Sequence, residues 1–254
     1  MSDPYFEFQG VSKSFDDHLV LDEVSFRVDP GETAIILGRS GVGKSVSLNL
    51  LMGFLKADAG RIVVAGEDIT DYTEEQLGPI RERVTMVFQT GALFDSLTAA
   101  GNVAFPLESR NKFTPEQIDT RVNELLEMLE VSNMADRIPE DLSTGTKRAV
   151  AIARALAADP EAILYDEPTT MVDPLMAGHI IQLITKLKAK FQRTSIVVTH
   201  DTHLAQKLAD RVIFLQEGKV GFFGTWAEFE ASSEPFLRNF RAQDELIPAL
   251  DAKS

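Results

Sequence analysis

Apolar and polar positions alternate from Tyr5 to Val11 and from Val24 to Val28, the period-two pattern of half-buried strands. The stretch Thr33 to Leu37 is apolar beyond its first residue, which suits a strand covered on both faces. It runs into a Gly-rich turn, after which Val46, Leu48, Leu50, Leu51 and Phe54 recur at helical spacing. Short apolar runs at Ile62 to Ala65, Val84 to Phe88, Ala162 to Tyr165, Ser195 to Thr199 and Val212 to Leu215 predict further strands, with helical stretches between most of them. Strands alternating with helices predict an α/β fold with a mainly parallel sheet. Gly91 to Ala158 breaks the alternation and predicts an inserted helical subdomain. There Thr114, Pro115 and Gln117 form a helix start, and Ile118, Val122, Leu125, Leu126 and Leu129 follow at helical spacing.

Composition narrows the classes. The chain has 254 residues, 44% of them hydrophobic, enough for a sizeable core. Lys and Arg number 25 against 39 Asp and Glu, so the net charge is 25 − 39 = −14. That balance repels a phosphate backbone and predicts no nucleic-acid partner. There are no cysteines, which excludes disulfides, thiol catalysis and Cys-ligated zinc. No apolar run is long enough to cross a membrane, and the acidic start from Met1 to Glu7 is unlike a signal peptide. The expectation is a cytoplasmic protein that depends on another subunit for any place at a membrane.

The strongest chemical signal is Gly38-Arg39-Ser40-Gly41-Val42-Gly43-Lys44-Ser45, which matches G-x-x-x-x-G-K-[ST] between a predicted buried strand and a helix. Glycines there let backbone N–H groups turn inward around phosphate oxygens, and the helix N-terminus adds positive potential. Lys44 is expected to reach the β- and γ-phosphates and Ser45 to ligate Mg²⁺. A second element, Ala162 to Glu167, is an apolar strand ending in two carboxylates. Asp166 suits a partner of phosphate-bound Mg²⁺, and Glu167 suits orienting or deprotonating an attacking water.

With these motifs the sequence resembles the ATP-binding subunits of ABC transporters. The glycine turn matches Walker A, with Val46 following it. Gln89 matches the Q-loop glutamine and Leu142 to Thr146 the signature, imperfectly. Asp166 and Glu167 match Walker B and its following glutamate, Thr169 to Asp173 the D-loop, and His200 the switch histidine. The resemblance implies a P-loop core with an N-terminal antiparallel β subdomain, spanning about residues 1–231, with the helical subdomain inserted at about 91–158 and a tail at 232–254. It implies catalytic roles for Glu167, His200 and Gln89, and Mg²⁺ contacts from Ser45, Gln89 and Asp166. Nucleotide contacts are implied for Phe15, stacked on adenine, for residues 38–46, and for Ser143, Gly145 and Asp173. It further implies a second copy of the chain paired head to tail around two ATP molecules, a transmembrane permease, and a peripheral place on the cytoplasmic face of the inner membrane.

The signature departs from the family pattern: Thr144 stands for its first Gly and Thr146 for its Gln. A β-branched residue beside the phosphate is expected to slow hydrolysis. Phe88 to Leu97, with Asn102 to Pro106, resembles the MCE-type lipid transporter ATPases, the Mla and Mkl-like group, although Gly101 stands where that group more often has Glu. This finer resemblance implies lipid transport and an MCE-type lipid-binding subunit. Leu93, Phe94 and Leu97 are read either as a groove for a permease helix or as internal packing. Phe236, Leu237 and Phe240 are read as a short helix that docks either on its own domain or on the partner ATPase. A soluble ABC ATPase of assembly or repair, acting without a permease, is the alternative function.

Overall fold

The computed structural model describes residues 3–242. They divide into two compact units, residues 3–77 with 194–242 and residues 78–193, the division falling inside a helix.

The first unit opens with an antiparallel hairpin of β1 (Phe6–Phe15) and β2 (His18–Val28). Phe6, Phe8 and Val11 on β1 and Leu21, Val24 and Val28 on β2 are buried, while their neighbours face out. Both strands run further than their apolar patterning. Ser12, Lys13 and Ser14 carry polar side chains yet continue the ladder to a turn where Phe15 pairs with His18. β3 (Thr33–Leu37) is buried throughout and leads into α1 (Lys44–Leu51). β4 (Ala59–Val64) then pairs with β1, and β5 (Glu67–Asp68) with β4 across a two-residue turn at Ala65 and Gly66. Both turn residues have positive φ (54° and 81°), as a twisted hairpin requires. The four strands form one antiparallel sheet in the order β2-β1-β4-β5, the β subdomain implied by the resemblance.

α2 (Glu74–Arg83) crosses the division into the second unit. There β6 (Val84–Val87) pairs in parallel with β7 (Ala162–Asp166). Between them lie α3 (Ala99–Glu108), α4 (Pro115–Met128), two 3₁₀ turns and α5 (Thr144–Ala157). The segment 91–158 holds no strand, as the patterning predicts. The start of α4 is the expected capping box: Thr114 accepts from the Gln117 amide, and the Gln117 side chain accepts from the Thr114 amide. α6 (Pro174–Phe191) follows β7 and closes the unit.

The chain returns to the first unit with β8 (Thr194–Thr199), α7 (Thr202–Leu208), β9 (Arg211–Gln216), β10 (Lys219–Gly224) and α8 (Trp226–Ala231). β8 and β9 flank β3 in parallel, which keeps β3 central and apolar. β10 is antiparallel to β9, so the sheet is mixed, and sequence patterning missed this strand. Its signal was a two-residue turn, Glu217 and Gly218, both at positive φ (50° and 77°).

Residues 235–242 are helical and dock on their own unit. Leu237 is fully buried, and the Phe236 and Phe240 rings lie 5.8 and 5.0 Å from that of Phe214 on β9. Arg241 donates to the carbonyls of Phe229 and Ser232. Of the two readings of this tail, docking on its own domain therefore describes residues 235–242. The rest of it lies outside the described residues. Phe229 joins the aromatic cluster, fully buried against Phe214, Phe222 and Trp226. Phe229→Ala is expected to cost about 3–5 kcal/mol, read from the midpoint of denaturant unfolding.

Candidate functional site

In the first unit most of the candidate residues follow the end of β3. The chain leaves Leu37 and turns through Gly38, Gly41 and Gly43, all at positive φ (154°, 81° and 98°). Gly38 is required for space as well as for conformation. A Cβ there would lie 2.6 Å from the Leu215 carbonyl oxygen of β9 and 2.9 Å from a Val42 methyl. A Cβ on Gly43 would lie 2.6 Å from a Leu21 methyl. Gly41 has no neighbour on that side, and it is exposed with Arg39 and Ser40. The turn is thus packed against strands at both ends and open at its crest.

Lys44 opens α1 and is buried, its Nζ donating to the carbonyls of Gly38 (2.9 Å) and Arg39 (3.1 Å). A buried ammonium is held where carbonyl oxygens compensate its lost hydration. With its charge inside a glycine turn and beside a helix N-terminus, the turn fits phosphate oxygens. Ser45 and Val46 follow, half-buried. Phe15 stands 41% exposed at the hairpin tip, with the Lys13 ammonium 5.5 Å from its ring centre. It is not a core residue, and an exposed aromatic face is what stacking on a base needs. His200 follows β8 and is exposed; next to it, Asp201 caps α7 by accepting from the Leu204 amide. On the outer side of the glycine turn, Arg39 and Val42 line a cavity of about 290 Å³ with Phe214, Phe236 and Phe240.

The second unit holds the remaining candidates. Asp166 ends β7 and Glu167 follows it, both buried. Glu167 has positive φ (46°), a strained setting for a side chain of its size. The Thr170 hydroxyl donates to Glu167 Oε2 (2.9 Å), and the Thr170 amide donates to the Glu167 carbonyl (3.2 Å). These bonds fix the carboxylate. Gln89 lies half-buried just beyond β6. Asp173 is exposed and caps α6, accepting from the Met176 amide at 3.0 Å.

Ser143 caps α5, accepting from the Thr146 amide (3.1 Å), with its hydroxyl 2.8 Å from that of Thr146. The unusual Thr146 is therefore a hydrogen-bond partner of the signature serine. Gly145 packs against Met176: a Cβ there would lie 2.1 Å from Met176 Cγ and would displace that flexible side chain. Sequence reading had missed Met176, because nothing in the spacing pairs the start of α6 with the start of α5.

Leu93 and Leu97 are half-buried, but Phe94 is 42% exposed and stacks on the exposed Phe105, ring centres 4.5 Å apart. The internal-packing reading describes Leu93 and Leu97 in part, while Phe94 stays exposed. Asn102, fully buried, ties the loop down by accepting from the Phe94 amide and donating to the carbonyls of Phe94, Leu97 and Thr98. Among the described residues no group of three or more His, Asp or Glu is arranged to hold a metal ion. No helix among them is long and apolar enough to cross a membrane.

A family model described as ABC transporter matches residues 21–170. The methionine import ATP-binding protein MetN of Bifidobacterium longum is 36% identical over 95% of this chain and 62% of its own length. MetN of Brucella abortus is 39% identical over 94% of this chain and 64% of its own length. The chain thus spans a little under two thirds of these relatives. A probable ribonucleotide transport ATP-binding protein, mkl, of Mycobacterium leprae is 34% identical over 92% of this chain and 67% of its own length. Among solved structures, the dimeric post-hydrolysis state of the ATP-binding cassette MJ0796 bound to ADP and Pi is 33% identical. It covers 87% of this chain and 98% of its own, with a TM-score of 0.79.

The two contrasting glycines test the packing of the turn. Gly41→Ala meets open space and pays only for its backbone, about 1–2 kcal/mol. Gly38→Ala also drives a methyl into a backbone carbonyl and is expected to cost more, about 3 kcal/mol or above. Thermal unfolding of the two variants side by side measures the difference.

Proposed function

Because the chain belongs to the ABC transporter family, we propose that it is the ATP-hydrolysing subunit of a transporter, closing with a second copy around two ATP molecules and driving a partner permease. The observation that carries this reading is the glycine turn with its buried lysine, within the family match. Lys44 and the turn amides would hold the β- and γ-phosphates, with Gly38 to Val46 as their frame. Phe15 would stack on the adenine. Ser45, Gln89 and Asp166 are the oxygen donors that would hold Mg²⁺, which when bound neutralises charge on the phosphate oxygens.

Glu167 would orient the attacking water and take its proton, and His200 would hydrogen-bond the departing phosphoryl group. The fixed, strained carboxylate suits the first task. Ser143, Gly145 and Asp173 would serve the nucleotide bound by the partner copy. The Ser143 hydroxyl is already engaged with Thr146, so its turn toward a phosphate would exchange one hydrogen bond for another. ATP then forms part of the contact between copies, and its hydrolysis removes that contact, a switch biased by differential ligand affinity.

The exposed Phe94 and Phe105 pair would receive a short permease helix, which would hold the protein peripherally on the cytoplasmic face of the membrane. For cargo we favour lipid, passed by an MCE-type subunit. This rests on the likeness of residues 88–106 to that group. The second reading, import of an amino acid, draws on the methionine-import relatives, whose identity is higher. Isolating the tagged complex from membranes and identifying its subunits and bound small molecules by mass spectrometry separates the two: an MCE-type subunit with co-purified lipid supports the first, and an amino-acid-binding subunit the second.

Glu167→Gln is expected to lower phosphate release by about 10²–10⁴-fold while preserving ATP binding. An undiminished rate would remove Glu167 from the mechanism. Phe15→Ala is expected to weaken ATP binding by about 5- to 150-fold, from stacking worth about 1–3 kcal/mol. Fluorescence titration with a labelled nucleotide reads that change, and an unchanged affinity would place the adenine elsewhere.

A further inference from the structure

Arg148 lies in the second turn of α5 and is only 3% exposed. Its guanidinium donates to the Phe88 carbonyl at 2.7 Å and, at 3.4 Å, to the Thr170 carbonyl; its Nε has no hydrogen-bond partner. Burial pulls its pKa below the ordinary guanidinium value, and the charge of Asp166 opposes that shift. Placing a cation inside a protein costs several kcal/mol unless polar groups compensate. Here the compensation comes from two main-chain oxygens and the nearby Asp166.

Those two carbonyls are informative. Phe88 directly precedes Gln89. Thr170 is the residue whose hydroxyl and amide fix Glu167. A single side chain on the helix that begins at the signature therefore grips the main chain beside both Gln89 and Glu167. The same helix grips the first of these segments again. Arg154 donates to the carbonyls of Gly91 (3.0 Å) and Ala92 (2.7 Å), with its guanidinium carbon 5.7 Å from the Phe94 ring centre. Gly91 and Ala92 both have positive φ (81° and 45°), so the segment they belong to is held in an uncommon conformation.

We propose that Arg148 is a positioning residue for ATP hydrolysis, tying the Gln89 segment and the Glu167 turn to the signature helix so that the three move together. The inference rests on the ATPase reading given above. Arg148 touches neither nucleotide nor water in this scheme, and it acts through the backbone on which Gln89 and Glu167 stand. Methionine fills part of the space but leaves both carbonyls without this donor. Gln89 and Glu167 are then free to drift, and small misplacements of reacting groups cost rate far more than they cost binding.

The test uses the full chain, with steady-state phosphate release and equilibrium ATP binding measured on the same preparations, and thermal unfolding beside them. R148M is expected to lower kcat by about 10-fold or more while the Kd for ATP stays within about 2-fold. R148K, whose ammonium keeps the charge but not the fork, is expected to fall between it and the wild type. An R148M kcat equal to wild type overturns the proposal, and so does a Kd that rises in step with the lost rate. If R148M does not fold, R148K decides: a kcat lowered at least about 2-fold at unchanged Kd supports the proposal, and an unchanged kcat overturns it. A wild-type protein that binds ATP but releases no phosphate overturns the ATPase reading instead, and with it this inference.

Discussion

The structure depends on a close approach of backbone to backbone at the end of β3. Gly38 lies where any Cβ would run into the Leu215 carbonyl of β9, so the turn that follows is set by the neighbouring strand as well as by its own glycines. Once the chain is placed there, the Lys44 ammonium is buried and donates to the turn carbonyls of Gly38 and Arg39. The crest at Gly41 is left open. A rigid base, a buried cation and an open rim of amides together make an anion cradle that needs little reorganisation when phosphate arrives. The aromatic cluster around Phe214 and Phe229 supports the same strand from its other side, and residues 235–242 are part of that support.

The second unit obeys a different constraint, which is the anchoring of irregular segments by one helix. α5 begins with a serine that caps it and a glycine packed against Met176, and it continues into Arg148 and Arg154. Its small residues let it bury nearly a whole face, while its two arginines donate to main-chain oxygens outside the helices and strands. Loops that carry function are kept in place by such side-chain donors rather than by a ladder of their own. The strained backbone at Glu167 persists for the same reason, because Thr170 bonds it twice.

Much of this was legible in the sequence. The continuous apolar run of β3, the glycine spacing after it and the capping box at Thr114 are local patterns, and each appears where the pattern predicts it. What patterning missed were features decided by partners distant in sequence. The polar half of β1 is a strand because β2 pairs with it, although Ser12, Lys13 and Ser14 bury nothing that alternation would reveal. β10 was hidden behind a two-residue turn, and it adds an antiparallel edge to a sheet whose other pairs are parallel, in keeping with the mainly parallel sheet that the run of βα units predicts. The neighbour of Gly145 lies 31 residues on, at Met176, counting 176 − 145. The grip of Arg148 spans Phe88 and Thr170, which no spacing rule connects.

The central claim is that the glycine turn and its lysine form the seat of a nucleotide triphosphate. Isothermal titration of the purified chain with MgATP, set beside Lys44→Ala with the same fold and melting behaviour, tests it most directly. The account predicts saturable, Mg²⁺-dependent binding to the wild type and its loss when the lysine is removed. Equal affinity in the two proteins, or no binding to the wild type, would contradict it.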